Sequence, residues 1–525
     1  MHPVPLNIKT ALVITPPVRD FYFTHHRFTS LGALLVTDLL ARRGIRTIPL
    51  NFALLRKRPI HIPLPEALSH LKPHILENET GKTSFFTRYK HFGPEIKECG
   101  SIISSLNPDI CFISCFAWCY GSVAIELAEE IKTRLPSCPV VLGGAGVSAY
   151  PEFFLRSNGV DYTIAGEAEV SLYRFLDYLE GKTSDPGGIP NLGWKDKDDI
   201  YFSRKEFTSK EQIEPAIYIS PAFKALGRSN ASSRISISIS RGCPLDCSFC
   251  SNRFCHGDEF RLSSFSKIQD SINSLIQKSG VSPEDVHILN FEDDNLLLDF
   301  QFWVDCIKEF KKHFPDVRIY AENGLDYRLL TPQRCHELIK LGMAQFNFSL
   351  ASTDNRILKE SKRNADFSRY DELLSIAENA KIPVITYFIC GLPLDTRETV
   401  VENLLFLQKR PTEIGISLFY PVPGIKGFED KHTFNNLSPA LCTGSAAYPW
   451  NNSLSTQTMI TAFRLARFIN LQKSDNLSGS EQTLVDVIAE KRRLYTYMRT
   501  GSGIKLKEIG NQDYKLVDMY FSSLD

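Results

Sequence analysis

The sequence predicts an α/β protein: two successive blocks of alternating strands and helices, followed by a mainly helical C-terminal region. Three observations predict it. Short apolar runs recur with room for one helix between them, as a parallel sheet covered on both faces requires. The 525 residues are 43% hydrophobic and 23% charged, ordinary for globular domains and sufficient for large cores. A turn-rich stretch, SDPGGIPNLG, followed by the charge run KDKDD, parts the chain from residue 184 on.

In the first block, residues 1–185, TALVITPP (10–17) reads as a buried strand and SLGALLVTDLLARRG (30–44) as an amphipathic helix stopped by Gly44. IRTIPLNF (45–52), DICFISCF (109–116), PVVLGG (139–144) and DYTIAGE (161–167) supply further strands, and SVAIELAEEIKTRL (122–135) a further helix. Residues 186–230 read as a linker with a small connecting hairpin. In the second block, residues 231–424, strands are predicted at RISISIS (234–240), VHILNFED (286–293), VRIYAEN (317–323), QFNFSLAS (345–352), IPVITYFICG (382–391) and EIGISLFY (413–420). Helical patterns such as TPQRCHELIKLG (331–342) and RYDELLSIAENA (369–380) lie between them, so this block is expected to be a full or partial (β/α) barrel. Residues 425–525 are mainly helical, with LSTQTMITAFRLARFINLQ (454–472) the clearest helix.

Lys plus Arg equals Asp plus Glu at 60 each, which gives no sign of a nucleic-acid partner. No apolar run reaches the roughly 18 residues of a membrane span. The opening MHPVPLNIKT lacks the basic stretch and apolar core of a signal peptide, so a cytoplasmic location is expected. In a reducing compartment the 13 cysteines are not a disulfide framework, and a tight cluster of them reads as metal ligation.

One such cluster is SRGCPLDCSFC (240–250), directly after a predicted strand, with Cys243, Cys247 and Cys250 spaced C-x3-C-x2-C. Three thiolates on one loop can hold three irons of a [4Fe–4S] cube and leave the fourth open. Zinc is the rival, with Cys255 or His256 as a fourth ligand. Cys111, Cys115 and Cys119 form a second spacing, C-x3-C-x3-C, and read as buried thiols, with a second cluster as the alternative.

The stretch 240–250 resembles the radical S-adenosylmethionine (SAM) superfamily, whose signature is C-x3-C-x-aromatic-C, with Phe249 at the aromatic position. The resemblance implies that Cys243, Cys247 and Cys250 hold a [4Fe–4S] cluster whose open iron takes S-adenosylmethionine, and that one electron cleaves it to a 5′-deoxyadenosyl radical. It further implies S-adenosylmethionine contacts from FEDDN (Glu292, Asp293, Asp294), from FSLAS (Ser349 and Ser352, with Ala351 where the family usually has Glu) and from ICGLP (Gly391, with Glu398 following). YPVPG (420–424) resembles the end of the sixth strand, and Arg363 reads as a solvated loop cation or as the partner of the S-adenosylmethionine carboxylate.

The first block has its own resemblance. PVVLGGAGVSAYPEFFL (139–155) and VDYTIAGEAEVSL (160–172) resemble the cobalamin-binding domain of one large radical SAM subgroup. This implies a Rossmann-like (flavodoxin-like) fold with the corrin at the carboxyl edge of its sheet, lined by Ser114 and its successors to Trp118 and by Gly143, Gly144, Gly146, Gly166 and Glu167. The histidine motif Asp-x-His-x-x-Gly is not present; His25 and His26 follow the first strand and read as solvated. Together the resemblances imply a cobalamin (B12)-dependent radical methyltransferase acting on an unactivated carbon of an unidentified small or lipid-like substrate, with a flavodoxin or ferredoxin as reductant. Radical cyclisation or rearrangement is the alternative within enzymes, and a non-catalytic cluster or cobalamin sensor the alternative outside them.

Overall fold

A computed structural model of the protein describes residues 5–24, 30–56, 58–86, 88–197, 199–220 and 233–525. His25 and His26 lie outside the described residues.

The apolar runs of the first block form one seven-stranded sheet. Its strands are β1 (Thr10–Thr15), β2 (Arg46–Asn51), β3 (Ile110–Ser114), β4 (Val140–Gly143), β5 (Tyr162–Ile164), β6 (Leu192–Asp196) and β7 (Asp199–Phe202), in the order β7-β6-β5-β4-β3-β1-β2. The five strands β1 to β5 are parallel. Their central members are buried on both faces, which is why the sequence reads there as continuous rather than alternating hydrophobicity. The hairpin β6–β7 pairs antiparallel with β5, so the hairpin expected in the connecting segment belongs to the first sheet. Sequence order reverses between β1 and β3, which opens a crevice beyond their carboxyl ends.

The second block supplies β8 (Ala216–Ser220), β9 (Ser233–Ser238), β10 (Val286–Phe291), β11 (Arg318–Tyr320), β12 (Phe346–Ala351), β13 (Val384–Cys390) and β14 (Glu413–Leu418). β9, β10 and β11 form one parallel arc and β12, β13 and β14 another. Isolated parallel bridges Ile319–Met343 and Leu325–Phe348 join the arcs into a six-stranded partial barrel. β8 runs antiparallel along the outer edge of β9. Helices Phe300–His313, Pro332–Lys340, Phe367–Asn379 and Arg397–Gln408 bury their apolar stripes against the strands, with Trp303, Phe346, Phe348 and Tyr370 in the core.

The C-terminal region contains the expected helix, at Thr456–Gln472, and also a hairpin the sequence reading lacked, Tyr495–Thr500 with Gly503–Glu508. That hairpin pairs with Glu79–Thr80 of the first block. Arg464 makes a fully buried ion pair with Glu79, which ties the two ends of the chain together. No helix among the described residues is long and apolar enough to cross a membrane.

Candidate active site between the two blocks

The cysteine loop leaves β9 and is shaped by the acidic end of β10. Asp293 accepts hydrogen bonds from the Ile239 and Ser240 N–H groups (2.9 and 2.6 Å) and from the Ser240 hydroxyl (2.6 Å). Burial nonetheless raises this carboxyl to about 6. Asp294 accepts from the Gly242 N–H at 3.2 Å and from the Asn252 amide. Gly242 is obligatory, because its φ is +78° and a Cβ there would lie 2.2 Å from the Glu259 carbonyl oxygen. The loop thus presents Cys243, Cys247 and Cys250 half-buried and unbridged. Asn295 Nδ2 lies 4.0 Å from the Cys243 sulfur, and Arg363 Nη1 lies 3.7 Å from the Cys247 sulfur. Burial raises the Cys243 thiol, and the Cys250 thiol to about 11. Among the described residues no three His, Cys, Asp or Glu side chains are grouped tightly enough to hold a single metal ion. Of the two candidate fourth zinc ligands, Cys255 faces Ser148 of the first block and His256 Nδ1 meets Glu167 at 3.3 Å. The thiol of Cys111 lies 3.8 Å from that of Cys138, and that of Cys115 bonds the Ala117 carbonyl.

Beside the cysteine loop, at the carboxyl ends of β11 to β14, is a cavity of about 440 Å³. Phe249, Asn323, Gly324, Ser349, Arg363 and Tyr420 are among its walls. The reading of Arg363 as solvated is corrected: its side chain is 7% exposed, and Nη2 donates to the Ser349 carbonyl at 3.0 Å. Its Nε is buried with no hydrogen-bond partner among the described residues. Ser352 does not line this cavity; its hydroxyl accepts from the N–H of Asp354, the N-cap of the next helix, at 3.2 Å. Asp293 does not reach it either, for the reason given above. Gly391 lies behind it, with φ +100°, donating to Asp395 and accepting from Asn451 (both 2.8 Å). Ala351 sits in its wall with φ +69°, a left-handed conformation costly for a residue with a Cβ. Glu398 heads the helix that follows β13, outside the cavity walls.

A second cavity, about 430 Å³, lies at the crevice of the first sheet and is closed by the barrel. Ser114, Gly143, Gly144, Gly166 and Glu167 line it from one side, and Arg241, Cys255, His256, Glu292 and Asp294 from the other. Glu292 and Asp294, expected at S-adenosylmethionine, therefore face the first block. Gly146 is not in the wall: a Cβ there would lie 2.8 Å from Ala117 backbone and the Cys115 sulfur, so its smallness lets helix Ala145–Ala149 sit on that loop. Trp118 is likewise turned away, packed on Phe153 and Phe154.

Glu167 acts differently from expectation. It is buried, and its oxygens accept from both Nη atoms of Arg261 (2.9 Å each), from the N–H and hydroxyl of Thr208 (2.7 Å each) and meet His256 Nδ1 at 3.3 Å. Burial alone would raise its pKa, but His256, Arg261 and the Thr208 N–H bring it down to about 2. The residue clamps the two blocks together at the cavity rim.

Two family models match the chain: the Radical SAM superfamily over residues 237–407 and the B12 binding domain over residues 93–176. The chain thus carries a radical SAM region preceded by a B12-binding region. Similar curated proteins include the cytidylyl-2-hydroxyethylphosphonate methyltransferase of Streptomyces wedmorensis, 22% identical over 58% of this chain and 59% of the relative. Another is the hopanoid C-3 methylase of Methylococcus capsulatus, 24% identical over 62% of this chain and 61% of the relative. The chain thus spans about three fifths of those relatives' lengths. Among solved structures, the radical S-adenosylmethionine methyltransferase TsrM of Kitasatospora setae, with cobalamin and a [4Fe–4S] cluster bound, superposes with a TM-score of 0.60 at 15% identity, covering 80% of this chain and 77% of that one.

The two matched domains imply a [4Fe–4S] cluster, S-adenosylmethionine and cobalamin, and the residues of this chain fit them. Three thiols on one loop, with N–H donors against two of the sulfurs, suit a cluster. The buried, unpartnered Arg363 Nε beside them suits an anionic chelate such as the S-adenosylmethionine carboxylate. In the second cavity, Glu169 Oε1 is buried without a partner among the described residues, and around Gly32 there is open space where a Cβ would stand. Both suit a large ring fringed by amide donors. The sequence reading missed Asn323 and Gly324, whose signal was position at the carboxyl end of a barrel strand, and it singled out YPVPG without giving Tyr420 a role.

Proposed function

We propose that this chain is a cobalamin-dependent radical methyltransferase that places a methyl group on an unactivated carbon of a small or lipid-like molecule. One observation carries the reading. A third cavity, about 570 Å³, shares Ser417, Leu418 and Tyr420 with the cavity beside the cysteine loop and Phe116 with the cavity on the first sheet. A molecule held there touches the walls of both cofactor sites, which is the placement that substrate-centred transfer between two cofactors needs.

When bound, the cluster with S-adenosylmethionine supplies a carbon-centred radical and cobalamin supplies a methyl group. The chain's own part is positional. Cys243, Cys247 and Cys250 hold the cluster, and Arg363 holds the carboxylate of S-adenosylmethionine while spacing Cys247 from Ser349. Phe249 offers a flat apolar wall to the adenine. Glu167 keeps the corrin domain seated on the barrel, so that water is excluded from the space between. A small redox protein such as flavodoxin or ferredoxin is the electron donor in this reading.

The test is anaerobic reconstitution with iron, sulfide and hydroxocobalamin, followed by incubation with methyl-deuterated S-adenosylmethionine, a reductant and extract from a mutant lacking the gene. Production of 5′-deoxyadenosine together with a deuteromethylated product supports the reading. 5′-Deoxyadenosine without label transfer turns it toward cyclisation or rearrangement, and neither product turns it toward a sensor.

A further inference from the structure

The third cavity also indicates what it takes. It lies where three parts of the chain meet: the β3 loop with Phe116 and Tyr120, the carboxyl end of β14 with Leu418 and Tyr420, and C-terminal residues Ser445 and Phe463. Seven of its 17 wall residues are aromatic. Tyr22 and Phe86 stack at 5.2 Å between centroids and 8° between planes, and Phe116 and Tyr120 pack at 5.0 Å. Tyr420 lines the cavity and leaves 42% of its surface uncovered. Uncovered aromatic surface inside a protein is surface that a flat apolar ligand covers.

One charged group faces this space from the described walls. Asp20 is 4% exposed. Its Oδ1 accepts from the Ser445 hydroxyl (2.7 Å) and the Phe21 N–H (2.6 Å), and its Oδ2 accepts from the Tyr120 hydroxyl (3.0 Å). These donors are neutral, and among the described residues no cation is paired with it. The Tyr22 N–H also faces the carboxylate, so every donor that meets it from these walls is neutral. A buried carboxylate with neutral donors alone favours a positively charged or N–H partner.

Resting on the proposed function, we propose that the substrate is a flat, aromatic molecule carrying an amine, with its ring against Tyr420 and Phe116 and its nitrogen donating to Asp20. The amine fixes the ring in register, so that one ring or side-chain carbon lies toward the Ser417–Tyr420 wall shared with the S-adenosylmethionine cavity.

The experiment is equilibrium dialysis of three fluorescent probes against the anaerobically reconstituted full-length protein: tryptamine (cationic), tryptophol (neutral) and indole-3-acetate (anionic). Tryptamine is expected to bind at least tenfold more tightly than indole-3-acetate. D20N should remove the advantage of tryptamine over tryptophol while leaving tryptophol unchanged. If D20N does not fold, Tyr420→Leu serves: it should weaken all three probes alike, several-fold. Binding of indole-3-acetate as tight as tryptamine, indifference of tryptamine to D20N, or no binding of any probe at millimolar concentration overturns the proposal. Dialysis needs no turnover, so it is distinct from the 5′-deoxyadenosine assay: Asp20-dependent binding without turnover keeps the site and sinks the methyltransferase, and turnover without such binding does the reverse.

Discussion

Replacing Glu167 by Gln tests whether the corrin domain is clamped to the barrel as the structure implies. The side chain keeps its shape but loses the charge that Arg261 meets through two 2.9 Å contacts, and Arg261 is itself 3% exposed. Two routes give the magnitude. Holding the carboxyl at about 2 against an ordinary value of 4.5 corresponds to about 3 kcal/mol at roughly 1.4 kcal/mol per unit. Leaving one partner of a buried pair uncompensated costs about 3–5 kcal/mol, reduced here because Arg261 keeps the Thr208 and His256 carbonyls. With an unfolding entropy near 2 cal/mol/K per residue over the whole chain, about 3 kcal/mol lowers Tm by about 3 °C, and by more where the first block melts alone. The sign with pH is fixed. The pKa is depressed on folding, so the contribution is fully present well above 4.5 and is lost as pH falls from there toward 2. The gap between wild type and E167Q should therefore narrow by about 0.8 kcal/mol at pH 4. Scanning calorimetry at pH 7 and pH 4 measures both quantities. An E167Q melting point within 1 °C of wild type at pH 7, or a gap that does not narrow at pH 4, refutes the clamp.

Three further predictions follow from the same geometry. The triple variant Cys243→Ala, Cys247→Ala, Cys250→Ala should fall from about four irons per chain to none after reconstitution, read by iron analysis and the loss of 5′-deoxyadenosine. Arg363→Gln should keep its iron but bind S-adenosylmethionine about tenfold more weakly, the loss of one charge-assisted hydrogen bond; unchanged affinity in equilibrium dialysis would remove Arg363 from the site. Gly144→Ala should destabilise the corrin domain by about 1–3 kcal/mol and reduce corrin retention, because the position has φ +99° and the added Cβ would lie 2.7 Å from the Cys115 carbonyl oxygen. A wild-type corrin spectrum and melting point in Gly144→Ala would show that the loop is less tightly built than described.

Much of the site was legible because it is local. The cysteine loop, Phe249 and the glycine turns after β4 and β5 each fall within a few residues of a strand end, where both helix-covered sheets and barrels gather ligands. Arg363 was not legible in this way. It reaches Cys247 across 116 residues, and nothing in its neighbours Lys362 and Asn364 distinguishes it from a solvated loop cation. Glu167 failed for the same reason: its partners Thr208, His256 and Arg261 lie 41 to 94 residues away, and the pairing exists only once the two blocks are docked.

The acidic and serine candidates divide by a rule the sequence does contain. Successive side chains of a strand alternate between its two faces, and here the alternation carries on just past the strand ends. After β10, Glu292 and Asp294 face the cavity on the first sheet, and Asp293 between them turns back to the Ile239 and Ser240 amides. On β12, Ser349 and Ala351 line the cavity beside the cysteine loop, and Ser352, just past the strand, turns away to accept from the Asp354 N–H. Naming all three acids, or both serines, to one cofactor overlooked that alternation. What parity could not say is which of its two faces meets the corrin domain. That depends on the docking that Glu167 and Arg261 fix, and the same docking sets Asn323 in the walls of both cofactor cavities and Phe116 between the first-sheet cavity and the third.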